Sequence, residues 1–116
     1  MNFKNQNYFF LFLSYAIAFL LVVLHRNNSF FWDTVQLASA HANYYFQNQF
    51  SSLLLPIDID SGHIPTFGIY LAFVWKLFGR SLAVSHLAML PFVLGIVFQI
   101  FKLCQKFIPQ DFVGLA

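Results

Sequence analysis

The sequence predicts an all-α membrane protein with two to three transmembrane helices and an amphipathic, jaw-like surface helix in the first outer loop. The first observation is composition: 59% of the 116 residues are hydrophobic and 9% are charged. Soluble domains carry roughly 25% charged residues, because they need a polar surface around an apolar core. The second observation is a series of long uncharged stretches, whose outer surface a bilayer accommodates and water does not.

The first uncharged stretch covers residues 8–24 and extends back towards Phe3. It approaches the roughly 20 residues that span the apolar part of a bilayer. A cleaved signal peptide is the alternative, because Lys4 supplies a basic residue ahead of the stretch. The stretch is long for a signal peptide, however, and His25 and Arg26 follow it in place of a small-residue cleavage site. We therefore predict a membrane anchor.

The next segment, His25 to His63, is the only substantial polar segment of the chain. Within it, residues 34–50 carry polar side chains at helical spacing. This pattern favours an amphipathic helix along the membrane surface, with its aromatic side chains at headgroup depth. We expect Trp32, Tyr44 and Tyr45, and Trp75 near the end of a later helix, to anchor the chain at this interface. We expect His25 and His41 to be interfacial or surface residues.

Two further helices follow the polar segment. The helix predicted over 65–78 would cover about 20 Å, which is short for a membrane crossing, so re-entrant and interfacial placements stay open. The helix predicted over 82–107 is of full length, and membrane helices tolerate its Pro91 and Gly95 when neighbours pack against them. All these segments form a single membrane unit, without internal repeats.

Charge excludes one class of function. The net charge of +2 is spread along the chain without a basic patch, so we expect no nucleic-acid partner. If three helices cross, each side of the membrane carries three cations, so the positive-inside rule gives no orientation. The only cysteine, Cys104, excludes an internal disulfide and a cysteine-based metal cluster.

Asp33 is the first candidate for chemistry. It stands directly before the amphipathic segment, and Gln36 follows three positions later, which is the pattern of a capping box. A helix N-cap is therefore the plainer interpretation. A carboxylate fixed at a helix start beside the membrane is also well placed to act as a base, and the two roles are compatible.

A second candidate is the loop over residues 58–68, with the sequence DIDSGHIPTFG. Asp58, Asp60 and His63 could ligate a divalent cation, since carboxylate oxygens and imidazole are its usual donors. Solvated carboxylates in an ordinary turn are the default interpretation, and we predict no metal. His86 is a further candidate, because an ionisable side chain in an apolar helix is by default a functional position.

The order of these features resembles the start of the integral-membrane GT-C glycosyltransferases. The group with protein O-mannosyltransferases and lipid A aminoarabinose transferases is the most similar. That group has a carboxylate after the first helix, a glycine- and proline-containing loop before the second, and an F-G-x-S stretch before the third. The matching residues here are Asp33, Gly62, His63, Pro65, Phe78, Gly79, Ser81 and Ala83. Thr34 and Ile64 depart from the family pattern, which has a second acidic residue and a second proline.

The resemblance implies transfer of a sugar from a polyprenyl phosphate to an acceptor at the outer face of a membrane. It makes Asp33 the catalytic residue and Gly62, His63 and Pro65 substrate-binding residues, with Asp60 and His86 as further possibilities. It implies no cofactor besides the lipid-linked donor. It also implies a cytoplasmic N-terminus, an outer loop over 25–63 and a multi-pass protein of the bacterial inner membrane.

Relatives of this kind have about a dozen membrane helices, so we expect this chain to be an N-terminal portion that needs the remaining part of the enzyme and is inactive alone. Two other classes stay open. One is a small non-catalytic membrane protein that binds a partner through its helices. The other is a transport or proton-relay subunit that uses His86 and Asp33.

Overall fold

The computed structural model describes residues 3–29 and 38–107. Every regular element within these ranges is a helix, which confirms the predicted all-α class. The helices are α1 (Phe3–Leu24), α2 (Ala40–Gln47), α3 (Thr66–Phe78), α4 (Leu82–Leu87) and α5 (Leu90–Phe107). The chain divides into two compact units: α1 and α5 belong to the first, and residues Arg26–Ala88 form the second.

Two stretches are long and apolar enough to cross a membrane by length and composition. They are Asn7–Leu24, with a mean hydropathy of 2.2, and Leu82–Phe107, in which an 18-residue window has a mean hydropathy of 2.1. Helix α3 has 13 residues and is shorter than such a span. The structure thus contains the two long apolar helical stretches that the sequence predicts.

The first unit is built on contacts between α1 and α5. The ring of Tyr8 lies 5.9 Å from the ring of Phe101, which is buried together with Asn7. Large apolar side chains such as Phe12 and Leu24 remain exposed on α1. A helix in lipid can leave such side chains uncovered, since its surroundings are as apolar as a protein core.

The second unit has a core of its own, in which α2 packs against α3. Its buried residues are Ala42, Tyr45, Leu71, Ala72, Trp75 and Ala88. The sequence analysis expected Tyr45 and Trp75 at the membrane interface, and this expectation is wrong. The alanines at the contact let the two helices approach, and the large rings fill the space beside them.

Helix α2 is shorter than the amphipathic helix predicted over 34–50. Its C-terminus forms a Schellman motif: the Phe50 N–H donates to Tyr45 O at 3.0 Å, and the Gln49 N–H donates to Phe46 O at 3.4 Å. Gln49 and Phe50 both have positive φ angles, which end the helix after Gln47. Residues 34–37 of the predicted helix lie outside the described residues.

The helix predicted over 82–107 is divided into α4 and α5 at Ala88 and Met89. The physical reason is Pro91, which has no N–H to continue the backbone ladder from α4. Met89 O instead starts the next helix by accepting from the N–H groups of Phe92 and Val93, both at 3.1 Å. Proline is tolerated there because it falls in the first turn of α5.

Candidate functional site

The loop between α2 and α3 holds most of the described candidate residues. Asp60 Oδ1 accepts a hydrogen bond of 2.9 Å from the Gly62 N–H, and the Asp60 N–H donates to Pro56 O at 2.9 Å. Gly62 has a φ of +73°, a conformation that side chains with a Cβ rarely adopt. The Asp60 carboxylate therefore caps a local turn, and Gly62 provides the backbone conformation that the turn requires.

His63 and Pro65 follow the turn. His63 is exposed, so its ring faces outward from the described part of the loop. Pro65 is the N-cap residue of α3, and its carbonyl accepts from the Ile69 N–H at 2.9 Å. The turn is therefore followed by an exposed imidazole, and one residue later by the proline that caps the short helix.

His41 connects this loop to α2, although the sequence predicts an interfacial or surface position for it. That expectation is wrong, because His41 is completely buried. Its Nε2 lies 3.1 Å from Ile59 O and 3.3 Å from Ser61 Oγ. The loop is thus attached to α2 immediately before Gly62. A histidine among alanines and tyrosines stands out in the sequence as a residue with a specific role. Its hydrogen-bond partners are 18 and 20 residues away along the chain, so the sequence does not predict them.

Gly68 explains how a histidine fits between two helices. A Cβ at this position of α3 would lie 2.5 Å from the Cβ of His41 and 3.2 Å from the backbone nitrogen of Ala42. Real Cβ atoms do not approach other atoms as closely as the first distance. The absence of a side chain at Gly68 therefore permits the close contact between α2 and α3 that buries His41.

The connector between α3 and α4 is a tight reversal. Gly79, with a φ of +86°, ends α3, and its N–H donates to Trp75 O at 2.9 Å. Ser81 caps α4 by accepting from the Val84 N–H at 3.2 Å. The matching positions of the F-G-x-S stretch thus have structural roles in this chain.

His86 lies on α4, and its Nε2 is 2.9 Å from the backbone carbonyl of Asn28. Because a carbonyl only accepts, the ring nitrogen is the donor. The bond ties the chain after α1 to α4 within the second unit. A proton-relay role for His86 stays a prediction.

Asp33, the predicted catalytic base, lies outside the described residues, so its role stays a prediction. Among the residues that the structure describes, no three His, Cys, Asp or Glu side chains are grouped as metal ligands would be. Asp58, Asp60 and His63 are therefore not assembled around a cation position. Each of them is exposed.

Tyr45 lies beneath the loop and donates a hydrogen bond of 2.9 Å from its hydroxyl to Leu53 O. Burial raises the pKa of this hydroxyl, and the neighbouring Tyr44 and Asp60 raise it further. The hydroxyl therefore keeps its proton and the hydrogen bond at neutral pH. Tyr45 attaches the loop to α2 at Leu53, and His41 attaches it at Ile59 and Ser61.

An apolar groove of about 500 Å³ is lined by residues of α3 and α4 and by Ala88, which follows α4. No charged side chain lines it, and Tyr70 closes one wall by donating from its hydroxyl to Ala88 O at 2.9 Å. Such an uncharged lining suits an apolar ligand such as a hydrocarbon chain. The groove residues are Tyr70, Val74, Phe78, Val84, Leu87 and Ala88.

Comparisons with protein-family models, curated protein sequences and solved structures gave no match to this chain. The fold and the described site define an all-helical protein with two helical stretches apolar enough to cross a membrane and a loop anchored on a short amphipathic helix.

Proposed function

We propose that the chain is the N-terminal portion of a polyprenyl-phosphate-sugar-dependent glycosyltransferase of the GT-C kind, which transfers a sugar to an acceptor at the outer face of the membrane. The observation that carries the proposal is the attachment of the loop to α2 through His41, at 3.1 Å from Ile59 O. It supports the proposal because the loop carries Gly62, His63 and Pro65, which resemble the family's substrate-binding loop, and α2 follows Asp33, the matching carboxylate, in the sequence.

In the proposed reaction an acceptor hydroxyl attacks the anomeric carbon of the lipid-linked sugar. The bond between that carbon and the phosphate oxygen breaks, and the lipid phosphate leaves with the bonding electron pair. Asp33 takes the proton of the acceptor hydroxyl, which is general-base catalysis by a carboxylate within hydrogen-bond reach. His63 and the backbone N–H groups beside Gly62, other than the Gly62 N–H that donates to Asp60 Oδ1, would stabilise the departing phosphate by hydrogen bonds.

We include the remaining part of an enzyme, because enzymes of the GT-C kind have about a dozen membrane helices, whereas the described residues contain two stretches long and apolar enough to cross a membrane. The first test is therefore to read the coding DNA beyond Ala116 in all frames. Further hydrophobic segments of the same kind would support the proposal. A terminator followed by unrelated sequence would favour the small partner-binding membrane protein instead.

The second test is sugar transfer in membranes that contain the chain with those further segments and a radiolabelled polyprenyl-phosphate sugar. Asp33→Asn should lower transfer by about 100-fold or more while membrane insertion is unchanged. Asp58→Asn is the matched control, since it removes a different carboxylate, which is exposed in the loop, and should leave transfer intact. Undiminished transfer by Asp33→Asn would remove Asp33 from the base role.

We also propose a multi-pass protein of the bacterial inner membrane with the loop over 25–63 outside. Cys104 is the only native cysteine, so Cys104→Ser gives a background for single cysteine probes. Asp58→Cys in intact spheroplasts should react with a membrane-impermeant maleimide, and Lys4→Cys should react only after lysis. The reverse pattern would contradict the proposed orientation.

A further inference from the structure

We propose that His41 is a positioning residue that fixes the loop between α2 and α3 on helix α2. Its two contacts, Ile59 O and Ser61 Oγ, lie immediately before Gly62 and His63. The inference concerns the geometry of the loop and holds for whatever chemistry the loop serves. It can therefore fail or succeed independently of sugar transfer.

The partners of the ring decide which nitrogen carries the proton. Ile59 O only accepts hydrogen bonds, so a contact of 3.1 Å requires a proton on Nε2 of His41. The same N–H also donates a second, longer hydrogen bond of 3.3 Å to the hydroxyl oxygen of Ser61. His41 Nδ1 is buried and has no hydrogen-bond partner, so a proton there would have no acceptor. The geometry thus assigns the Nε2–H tautomer.

The backbone around His41 leaves the ring little freedom. The Cβ of His41 faces Gly68, where even one additional carbon would lie 2.5 Å away. The side chain therefore leaves α2 against the backbone of α3, and its far nitrogen reaches the loop. Movement of the ring away from the loop would require α2 and α3 to separate.

A side chain that only fills space can be distinguished from one that holds the loop. Glutamine carries an N–H donor at about the distance of Nε2 from the backbone, whereas asparagine carries its donor nearer the backbone, where Nδ1 stands. Leucine fills a similar volume without a donor. His41→Gln should therefore retain the loop contact, and His41→Asn and His41→Leu should lose it.

Amide hydrogen exchange of the detergent-solubilised full chain measures the attachment. We expect His41→Asn and His41→Leu to speed exchange at Asp60 and Gly62 about tenfold, as loss of a buried hydrogen bond implies. His41→Gln should stay within about threefold of the native rate, since it keeps the donor. Amides of α1 and α5 should exchange at native rates in all three variants.

Ser61→Ala removes the longer of the two contacts of His41 Nε2. It should speed exchange at Asp60 and Gly62 about twofold, less than His41→Asn or His41→Leu, because Nε2 still donates to Ile59 O. Ser52→Ala is its matched control, since Ser52 Oγ bonds to the backbone of Leu54 and not to His41. Equal effects of Ser61→Ala and Ser52→Ala would overturn the assigned second hydrogen bond. Native exchange rates in His41→Leu, or equal rates in His41→Gln and His41→Leu, would overturn the proposal.

A spectroscopic measurement on the unmodified chain covers the case in which the variants fail to fold. In protein labelled with ¹⁵N-histidine, the His41 ring should show a protonated Nε2 and an unprotonated Nδ1, with its resonance identified as the one that remains in each of His25→Gln, His63→Gln and His86→Gln. A proton on Nδ1 with none on Nε2 in the native chain would overturn the proposal, because the contact with Ile59 O would then have no donor.

Discussion

The indole N–H of Trp75 donates a hydrogen bond of 2.8 Å to Ser85 Oγ, and both side chains are buried. The serine hydroxyl in turn donates to Ser81 O at 2.8 Å. Helices α3 and α4 are therefore joined by a polar chain in which each described donor has an acceptor. Such chains are sensitive to the removal of one member, because the group left behind remains buried without a partner.

Ser85→Ala should therefore destabilise the second unit. The Trp75 indole N–H would lose its acceptor in a buried position, which costs about 1–3 kcal/mol. The free energy of unfolding, from denaturant titration in mild detergent followed by circular dichroism, would measure the effect. Ser14→Ala is the control: its hydroxyl bonds to Phe10 O in an exposed position, so its effect should stay within about 0.5 kcal/mol. Equal losses in the two variants would contradict the importance of the buried bond.

Gly68→Ala and Gly95→Ala form a matched pair of helical substitutions. A Cβ at Gly68 would meet the Cβ of His41 at 2.5 Å, so α2 and α3 must move apart, at about 1–3 kcal/mol. A Cβ at Gly95 meets no atom within 4 Å, and alanine is the better helix former by about 1 kcal/mol. Unfolding titrations should show the first variant less stable than the native chain and the second at least as stable. A stable Gly68→Ala would contradict the close helix contact.

The helices could be predicted where local chemistry decides them. Helix α3 begins at Thr66 after Pro65 and ends at Phe78 before Gly79. The sequence predicted the end and placed the start one residue early, at Pro65, because proline and glycine act through their own backbone. The division at Met89 was missed. Membrane helices often accommodate a proline, and the sequence does not tell in which turn of a helix Pro91 falls.

The site could be predicted only in part, for a related reason. Gly62 and Pro65 were found because a turn needs them locally. The role of His41 depends on Ile59 and Ser61, and on the space that Gly68 leaves in another helix. Contacts between residues far apart in sequence leave no local pattern, so the histidine was assigned to a surface that it does not occupy.

Gly62 is expected to tolerate asparagine better than alanine. Its φ of +73° lies in the left-handed region, where a residue with a Cβ costs roughly 1–2 kcal/mol and asparagine is the best tolerated after glycine. No neighbouring atom lies within 4 Å of an added Cβ, so the cost would be conformational and not steric. Exchange at the Gly62 and Asp60 amides should therefore rise more in Gly62→Ala than in Gly62→Asn. Equal exchange in the two variants would contradict a backbone role for this glycine.

The raised pKa of Tyr45 predicts a loss of stability at alkaline pH. The folded chain holds the hydroxyl proton more tightly than the unfolded chain, whose tyrosine titrates near pH 10.0. Below that pH both states are protonated and the stabilisation is fully present. As the pH rises through the higher pKa of the folded state, the unfolded state loses its proton first and the stabilisation is lost.

Tyr45→Phe isolates this contribution, because the other tyrosines titrate in both chains. At pH 8 the variant should be less stable by about 1 kcal/mol, since the hydrogen bond from the hydroxyl to Leu53 O is missing. The stability difference between the native chain and the variant should then shrink as the pH is raised from 9 to about 11.5, because only the native chain has the Tyr45 proton to lose. Denaturant titrations at several pH values in one detergent would measure both curves. A difference that stays constant over this range would contradict the raised pKa, and one that grows would mean that the folded state binds this proton less tightly.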